Sequence, residues 1–283
     1  MSKVYINGQL VSETAAKLSV FDRGFLYGEG VFETLRAYAG RVAFPALHYH
    51  RLRENCERLQ IDLPLDEYAF EKTVQKVLAA NRLREAVVRV TISAGGTAYT
   101  FDRPPHLDAN VVLFARRFRP KPERLYHQGA SIIVVTSVCG EPPALANLKT
   151  TSYLCRMLAR QEVQAARADE GLLLNQRGWV LEGTATNLLL VRKGRLYTPP
   201  LSDGVLPGVT RFGILGVADS LDIPWREAHI SIENLKAADE IFLTGTTSEV
   251  LPVREIRDIT IKPRTPGPIT RQLMAAYQQL LPH

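Results

Sequence analysis

Asn147-Leu148-Lys149-Thr150-Thr151-Ser152-Tyr153-Leu154 sets one lysine at the end of an irregular, proline-containing segment and just ahead of a helix, with hydroxyl-bearing residues directly after it. The chain holds 35 lysines and arginines together, and most such residues only solvate a surface. Lys149 is singled out by its setting and by what later segments supply around it. Outward from this stretch, strands and helices follow one another without strict β-α-β alternation, which makes the fold class α+β.

A length of 283 residues suits two domains, each able to bury a core of its own. With 46% hydrophobic and 23% charged residues the composition is that of a globular protein, not of a disordered or fibrous one. The net charge is +6, yet no block of like charges and no interleaving of aromatic with basic residues is present, so nucleic acid is not an expected partner. Cys56, Cys139 and Cys155 are odd in number and widely spaced, which suggests neither a disulfide framework nor a metal site. The first residues lack the apolar core of a signal peptide, and no stretch reaches the roughly 18 apolar residues of a membrane span. A cytoplasmic protein is expected.

Val4-Tyr5-Ile6 alternates, Asn7-Gly8 turns and Gln9-Leu10-Val11 returns, so the chain opens on a hairpin. The glycine-punctuated run from Phe21 to Gly30 leads into a strand over 31–38. Strand alternation puts Phe32, Thr34 and Arg36 on one face and Val31, Glu33 and Leu35 on the other. Each face carries one charge, the pattern of an edge strand with one wet face. Pro45 starts a helix with a loose stripe of Leu47, Leu52, Cys56 and Leu59, carrying His48, His50 and Arg51 near its beginning. Asp66 caps a second helix with Phe70, Val74, Val77 and Leu78 inward. Strands are expected over 86–93 and 109–115. Between them, 94–105 is too long for a hairpin turn and reads as a functional loop holding Arg103.

The paired prolines of Arg117-Phe118-Arg119-Pro120-Lys121-Pro122 mark a linker, giving domains over 1–116 and 123–283 with 117–122 between them. Beyond it the pattern predicts a strand over 131–137 and a helix over 153–168 with Leu154, Met157, Leu158 and Ala165 inward. Short strands follow over 171–174, 179–181, 188–191 and 195–197. A helix starts within Leu206-Pro207-Gly208-Val209-Thr210-Arg211, a strand over 240–244 runs into Gly245-Thr246-Thr247-Ser248, and a helix over 268–281 closes the chain.

An aldehyde cofactor held as a Schiff base needs a lysine amine, a carboxylate facing its pyridine nitrogen and a cradle for its phosphate. Glu182 stands at a strand end in Leu181-Glu182-Gly183-Thr184-Ala185-Thr186-Asn187, where small residues permit close approach. The Gly208-Val209-Thr210 turn offers N–H groups at a helix start, Gly245-Thr246-Thr247 offers a second cluster, and Arg51 offers a bidentate fork. Taken singly, each of these is equally a surface glutamate, an ordinary turn or a solvated arginine.

Taken together, these segments resemble the class IV, fold-type IV, pyridoxal-phosphate-dependent aminotransferases, the group of branched-chain aminotransferases, D-amino-acid aminotransferases and aminodeoxychorismate lyases. The likeness runs through Tyr27-Gly28-Glu29-Gly30-Val31-Phe32-Glu33, the segment from His48 to Leu52, Asn147-Leu148-Lys149, Glu182 to Asn187, Leu206 to Arg211, and Thr244 to Val253. The resemblance implies a smaller N-terminal α/β sandwich and a larger C-terminal domain with a barrel-like β core flanked by helices. It implies pyridoxal 5′-phosphate as cofactor. Lys149 would carry the aldehyde and shuttle the proton, Tyr153 would bond the phenolate oxygen and Glu182 would hold the pyridinium proton. Arg51, Val209, Thr210 and Thr246 would bind the phosphate. Tyr27, Phe32, Thr34, Arg36, Arg89 and Thr247 would meet a substrate. Phe32 and Arg36 together with Arg89 resemble the branched-chain enzymes, so the expected activity is transamination between an aliphatic amino acid and a 2-oxo acid. D-amino acids and aminodeoxychorismate are the alternatives. A homodimer is implied, with the 94–105 loop closing over the partner's site.

Overall fold

The computed structural model describes residues 2–96, 99–104, 106–137, 140, 143–261 and 265–283. Cys139, the first residues of the Glu141-Pro142-Pro143 bend, and Thr97, Ala98 and Pro105 of the long loop lie outside them. The contacts divide the chain into two compact units, and a single cut does not separate them. One unit holds Met1–Arg119, Leu148–Tyr153 and Leu281–His283, and the other holds Pro120–Asn147 and Leu154–Leu280. The lysine stretch therefore belongs by its contacts to the first unit, while the chain on either side of it belongs to the second.

In the first unit the opening hairpin forms as β1 (Lys3–Ile6) and β2 (Gln9–Ser12). The short helix α1 (Arg23–Tyr27) precedes β3 (Gly30–Tyr38) and β4 (Arg41–Val42). Helices α2 (Pro45–Arg58) and α3 (Glu67–Ala80) follow, then β5 (Ala86–Ser93) and β6 (Asn110–Arg117). The six strands pair antiparallel in the order β2-β1-β6-β5-β3-β4. Alternation along β3 and β5 sends Val31, Leu35, Val88, Val90 and Ile92 to one face, where Leu52, Phe70, Val77 and Leu78 of the two helices meet them with almost no exposure. Burying each such side chain contributes roughly 1.5–3 kcal/mol.

The expectation of an edge strand with one wet face is corrected here. Phe32 and Arg36 are as buried as the core face, and β3 is paired on both sides. Helix α2 buries Leu52 and Cys56 of its expected stripe and packs Leu59 against the same core. Its buried residues include His48, Arg51 and Asn55 alongside Tyr49, Leu52 and Cys56, because the face turned to β3 meets the Glu33 carboxylate.

In the second unit α4 (Arg124–Gln128) leads into β7 (Ala130–Val134), α5 (Leu154–Ala165), β8 (Glu170–Leu174), β9 (Val180–Gly183), β10 (Asn187–Arg192) and β11 (Arg195–Thr198). Then come α6 (Val209–Ser220), β12 (Trp225–Glu227), α7 (Ile232–Lys236), β13 (Glu240–Gly245), β14 (Glu249–Ile256) and α8 (Pro268–Gln279). The sheet order β12-β11-β10-β13-β14-β7-β8-β9 closes on itself, since β9 also pairs β10 through Glu182 opposite Asn187. Strands β7, β8, β9, β10, β13 and β14 thus form a barrel, filled by Ile132, Leu172, Val180, Leu188, Leu243 and Val253. This is the α+β architecture with a barrel-like core that the sequence led us to expect.

The inward stripe expected on α5 is overturned. Leu154, Met157 and Leu158 are 70%, 51% and 40% exposed, whereas Ala159 and Val163 are fully buried. The helix lies close over Gly171 of β8, where a Cβ would run into Val163, so small residues and not long ones face the barrel. Strands β12 and β14 and the short helices α4 and α7 had no counterpart in the sequence reading.

Candidate active site

The lysine stretch pairs with the start of β3, on the side that β4 covers only at Ala37 and Tyr38. Phe32 N–H donates to the Lys149 carbonyl at 2.9 Å, Thr151 N–H donates to the Gly30 carbonyl at 2.8 Å, and Val31 and Thr150 form an antiparallel bridge. The glycines ahead of β3 make this approach possible. A Cβ on Gly30 would come within 2.9 Å of the Thr151 hydroxyl, and one on Gly28, whose φ is +70°, would press on Ser152. The Thr151 hydroxyl also donates to the Gly28 carbonyl at 2.8 Å. Two motifs far apart in sequence are therefore one hydrogen-bonded piece of structure.

That piece places Lys149 Nζ 4.6 Å from the centre of the Phe32 ring, with Tyr153 edge-on to the same ring at 5.4 Å. Register pairs Thr34 with Arg89 on β5, and the Arg89 guanidinium lies 3.2 Å from the Phe32 ring centre. Its Nε donates to the Thr91 hydroxyl at 3.4 Å, and no carboxylate among the described residues pairs with it. Burial pulls the Arg89 pKa down to about 10, against the opposing influence of Tyr153 and Glu33. An arginine desolvated without an anion beside it is a receptor for one. Two other arginines on this face have side-chain carboxylates: Arg36 pairs with Glu85 and Arg116 with Glu13. Arg36 also donates to the Ala37 carbonyl and lies between the Tyr38 and Phe118 rings. Its two terminal nitrogens are thereby taken up within the fold, while the buried Nε has no partner among the described residues.

On the core side of β3, Glu33 has no exposure and takes Arg51 Nε and Nη2 at 2.7 Å each and His48 Nδ1 at 2.7 Å. Burial alone would raise the Glu33 pKa, but Arg51 and His48 more than offset it and hold the carboxyl well below the usual range. Burial likewise lowers His48, with Arg51 and Lys149 adding to the effect and Glu33 opposing it. Arg51, expected at a phosphate, is thus held in one pose by a buried carboxylate.

Tyr27 packs on the long loop. Its hydroxyl donates to the Thr100 carbonyl at 3.2 Å and its ring meets Phe101 edge-on. Arg103 of the same loop is half-buried. It donates to the Leu59 carbonyl at 2.7 Å and pairs with Glu29 at 3.0 Å, pinning the loop to the segment before β3.

In the second unit Glu182 is buried at the end of β9. It accepts Arg156 Nη2 at 2.5 Å, Asn187 Nδ2 at 3.0 Å and the Leu206 N–H at 3.0 Å. A surface glutamate in a turn, the ordinary reading of its local sequence, is ruled out by its 3% exposure. The chain then runs to Gly208, which precedes α6 and gives that helix no side-chain cap. Val209 and Thr210 are buried in the first turn, and the Tyr277 hydroxyl reaches Thr210 Oγ1 at 3.4 Å. Helix starts leave N–H groups without intrahelical partners and favour an anion through the helix dipole. The Gly245-Thr246-Thr247 turn sits at the same end of the barrel, because Thr244 pairs in register with Asn187. Thr246 and Thr247 are half-buried there.

An uncapped helix start for a phosphate and a buried, arginine-held carboxylate for a protonated ring nitrogen are donor and acceptor sets that fit pyridoxal phosphate. Sequence reasoning passed over Arg156, Asn187 and Thr91. Thr91 follows Arg89 by two on an alternating strand and was recoverable; Arg156 had no local signal, and Asn187 was only the last letter of a motif.

The family model described as amino-transferase class IV matches residues 30–256. A Methanocaldococcus jannaschii protein provisionally named a branched-chain-amino-acid aminotransferase is 36% identical over 98% of the chain and 96% of its own length. D-alanine aminotransferase of Staphylococcus haemolyticus is 28% identical over 99% and 98%, and aminodeoxychorismate lyase of Bacillus subtilis is 32% identical over 98% and 94%. Among solved structures, the T.th. branched-chain amino acid aminotransferase with pyridoxamine 5′-phosphate superposes with a TM-score of 0.91 at 29% identity, over 98% of this chain and 93% of that one.

Proposed function

From the premise that the chain belongs to the class IV aminotransferases and is a pyridoxal-phosphate-dependent enzyme, we propose that it moves an amino group between an aliphatic, branched-chain type amino acid and a 2-oxo acid. The observation that carries this reading is Arg89, a half-buried guanidinium without a carboxylate, lying on the Phe32 ring. Val87, Val112 and Phe114 share its sheet face by register, an apolar floor suited to an aliphatic side chain beside a carboxylate.

Bound pyridoxal phosphate supplies an aldehyde that takes up the amino group and a ring that spreads the electrons left on the substrate. In the proposed assignment Lys149 Nζ would hold the cofactor through its aldehyde and would serve as the base that moves the substrate Cα proton. The Tyr153 hydroxyl bonds the phenolate oxygen, and Glu182 keeps a proton on the ring nitrogen. Arg51, the N–H groups of Val209 and Thr210, and Thr246 bind the phosphate. Arg89, aided by Thr91, binds a substrate carboxylate over Phe32 and Thr34, with Tyr27 and Thr247 at the margin. Arg36 is left out of this set because Glu85 and backbone carbonyls occupy it.

The test is a half-reaction screen that follows the cofactor absorbance with L-leucine, D-alanine and aminodeoxychorismate. Conversion by L-leucine and not by the others is the expected result. A response confined to D-alanine, or breakdown of aminodeoxychorismate without amino transfer, replaces the reading by one of the other activities known among the relatives.

A homodimer is part of the proposal. Phe25 and Phe101 are 74% and 85% exposed in the first unit, more apolar surface than a lone subunit gains from showing to water. Light scattering at twice the chain mass checks it. No helix among the described residues is long and apolar enough to cross a membrane. The free, exposed thiol of Cys155 supports a reducing, cytoplasmic setting.

A further inference from the structure

Asn187 joins the two features of the second unit to which the proposed function gives opposite ends of the cofactor. Its Nδ2 donates to Glu182 Oε2 at 3.0 Å and to the Leu206 carbonyl at 2.8 Å. The Leu206 N–H returns to the same Glu182 Oε2 at 3.0 Å. Glu182, Asn187 and the segment entering α6 are thereby closed into one ring of hydrogen bonds. The same Asn187–Glu182 pair is the register contact through which β9 meets β10 and the barrel closes.

Gly208 completes the arrangement. Its φ is −67° and its ψ 132°, a conformation open to any residue, so backbone strain does not call for glycine here. Space does: a Cβ on Gly208 would overlap Asn187 Oδ1. The start of α6 is set against the asparagine amide on one side, and the carboxylate is set against it on the other. Arg156, at 2.5 Å from Glu182 Oε1, holds the far oxygen and leaves the carboxylate little freedom to turn.

We propose that Asn187 is a positioning residue that fixes the spacing between the Glu182 carboxylate and the first turn of α6, and so matches the chain to a ligand that must engage both at once. This rests on the reading that Glu182 faces the ring nitrogen and α6 the phosphate. A ligand spanning both ends gains from the spacing, because each contact preorganises the other. A ligand engaging only the helix start gains nothing from it.

The experiment measures two affinities of the apoprotein, for pyridoxal phosphate by absorbance and for inorganic phosphate by competition, in the wild type, in Asn187→Ala and in Gly208→Ala. Asn187→Ala is expected to weaken pyridoxal phosphate at least about 10-fold, the scale of one or two hydrogen bonds to a charged group, and to change inorganic phosphate less than about 3-fold. Gly208→Ala is expected to reproduce this selectivity, because its methyl group displaces the same amide. Equal weakening of both ligands means a general disturbance of the fold and overturns the proposal, and so does an unchanged pyridoxal phosphate affinity. Should Asn187→Ala not fold, Gly208→Ala decides alone. Failure of the wild-type apoprotein to bind pyridoxal phosphate would instead sink the functional reading beneath the proposal.

Discussion

Glu33 and Glu182 are two buried glutamates, each gripped by an arginine, and they differ in what else holds them. Glu33 lies in the core of the first unit between Arg51 and His48, so its partners are charged or chargeable side chains of one helix. Glu182 lies at a strand end of the second unit, with one arginine, one amide and one backbone N–H. The first arrangement spends the carboxylate on orienting an arginine. The second fixes the carboxylate itself, with a single charged partner and two neutral donors. Removing the charge should therefore cost stability in one case and chemistry in the other.

The comparison has a reference point in Lys149. Lys149→Ala is expected to lower the half-reaction rate by at least about 10³-fold and to leave no linkage that borohydride can fix, as read by intact mass. A variant that still fixes the cofactor removes Lys149 from its role. Next in size, Glu182→Gln keeps the shape of the group and its cofactor band but should lose about 10²-fold in turnover with little change in melting temperature. If its melting temperature falls as far as that of Glu33→Gln, the contrast between the two carboxylates is gone.

Glu33→Gln leaves Arg51 buried opposite a neutral amide, and a loss of roughly 3 kcal/mol is expected from chemical denaturation. Arg89→Leu comes next, with substrate KM raised about 10- to 50-fold and the melting temperature held, because this arginine has no carboxylate to abandon.

The smallest effect is the pH dependence of stability. Both folded pKa values are depressed, His48 from 6.5 and Glu33 from 4.5, so the native state binds fewer protons than the unfolded chain once the pH drops below these values. Their contribution is whole above about pH 6.5 and is lost as the pH falls, first through His48 and then through Glu33. Melting temperatures from pH 8 to 4 should decline along this limb and decline less in a His48→Phe variant. An equal slope in both would take the histidine out of the account.

What the sequence made legible follows from how local each signal was. Phe70, Val74, Val77 and Leu78 on α3, the Asn7-Gly8 turn and the capping role of Asp66 are short-range patterns, and all appear as read. β14 escaped because Pro252 argues against a central strand, yet it lies opposite Phe242 in the barrel, next to the register shift between Val253 and Glu255 toward β7. On α5 the large apolar residues looked inward, but close packing over Gly171 selected Ala159 and Val163. The candidate site divided the same way. Lys149 and Glu182 could be picked out within their motifs. The fate of Arg36 could not, because it hangs on Glu85 nearly fifty positions away. Nor could the work of Arg156 and Asn187, which depends on a carboxylate that only the fold brings to them.

The strip from Leu148 to Tyr153 has one more consequence, for how the gene could be divided. Its hydrogen bonds make it a late-arriving strand segment of the first unit, supplied from the middle of the second. A fragment ending at Arg119 would carry every named strand of the six-stranded sheet and still be unfinished, with the Phe32 N–H and Gly30 carbonyl bare along the rim of β3. Such rims recruit foreign strands. The two units are thus not interchangeable modules that could be cut apart and recombined at the proline-rich connection, because the segment bearing the lysine stitches one into the other's sequence.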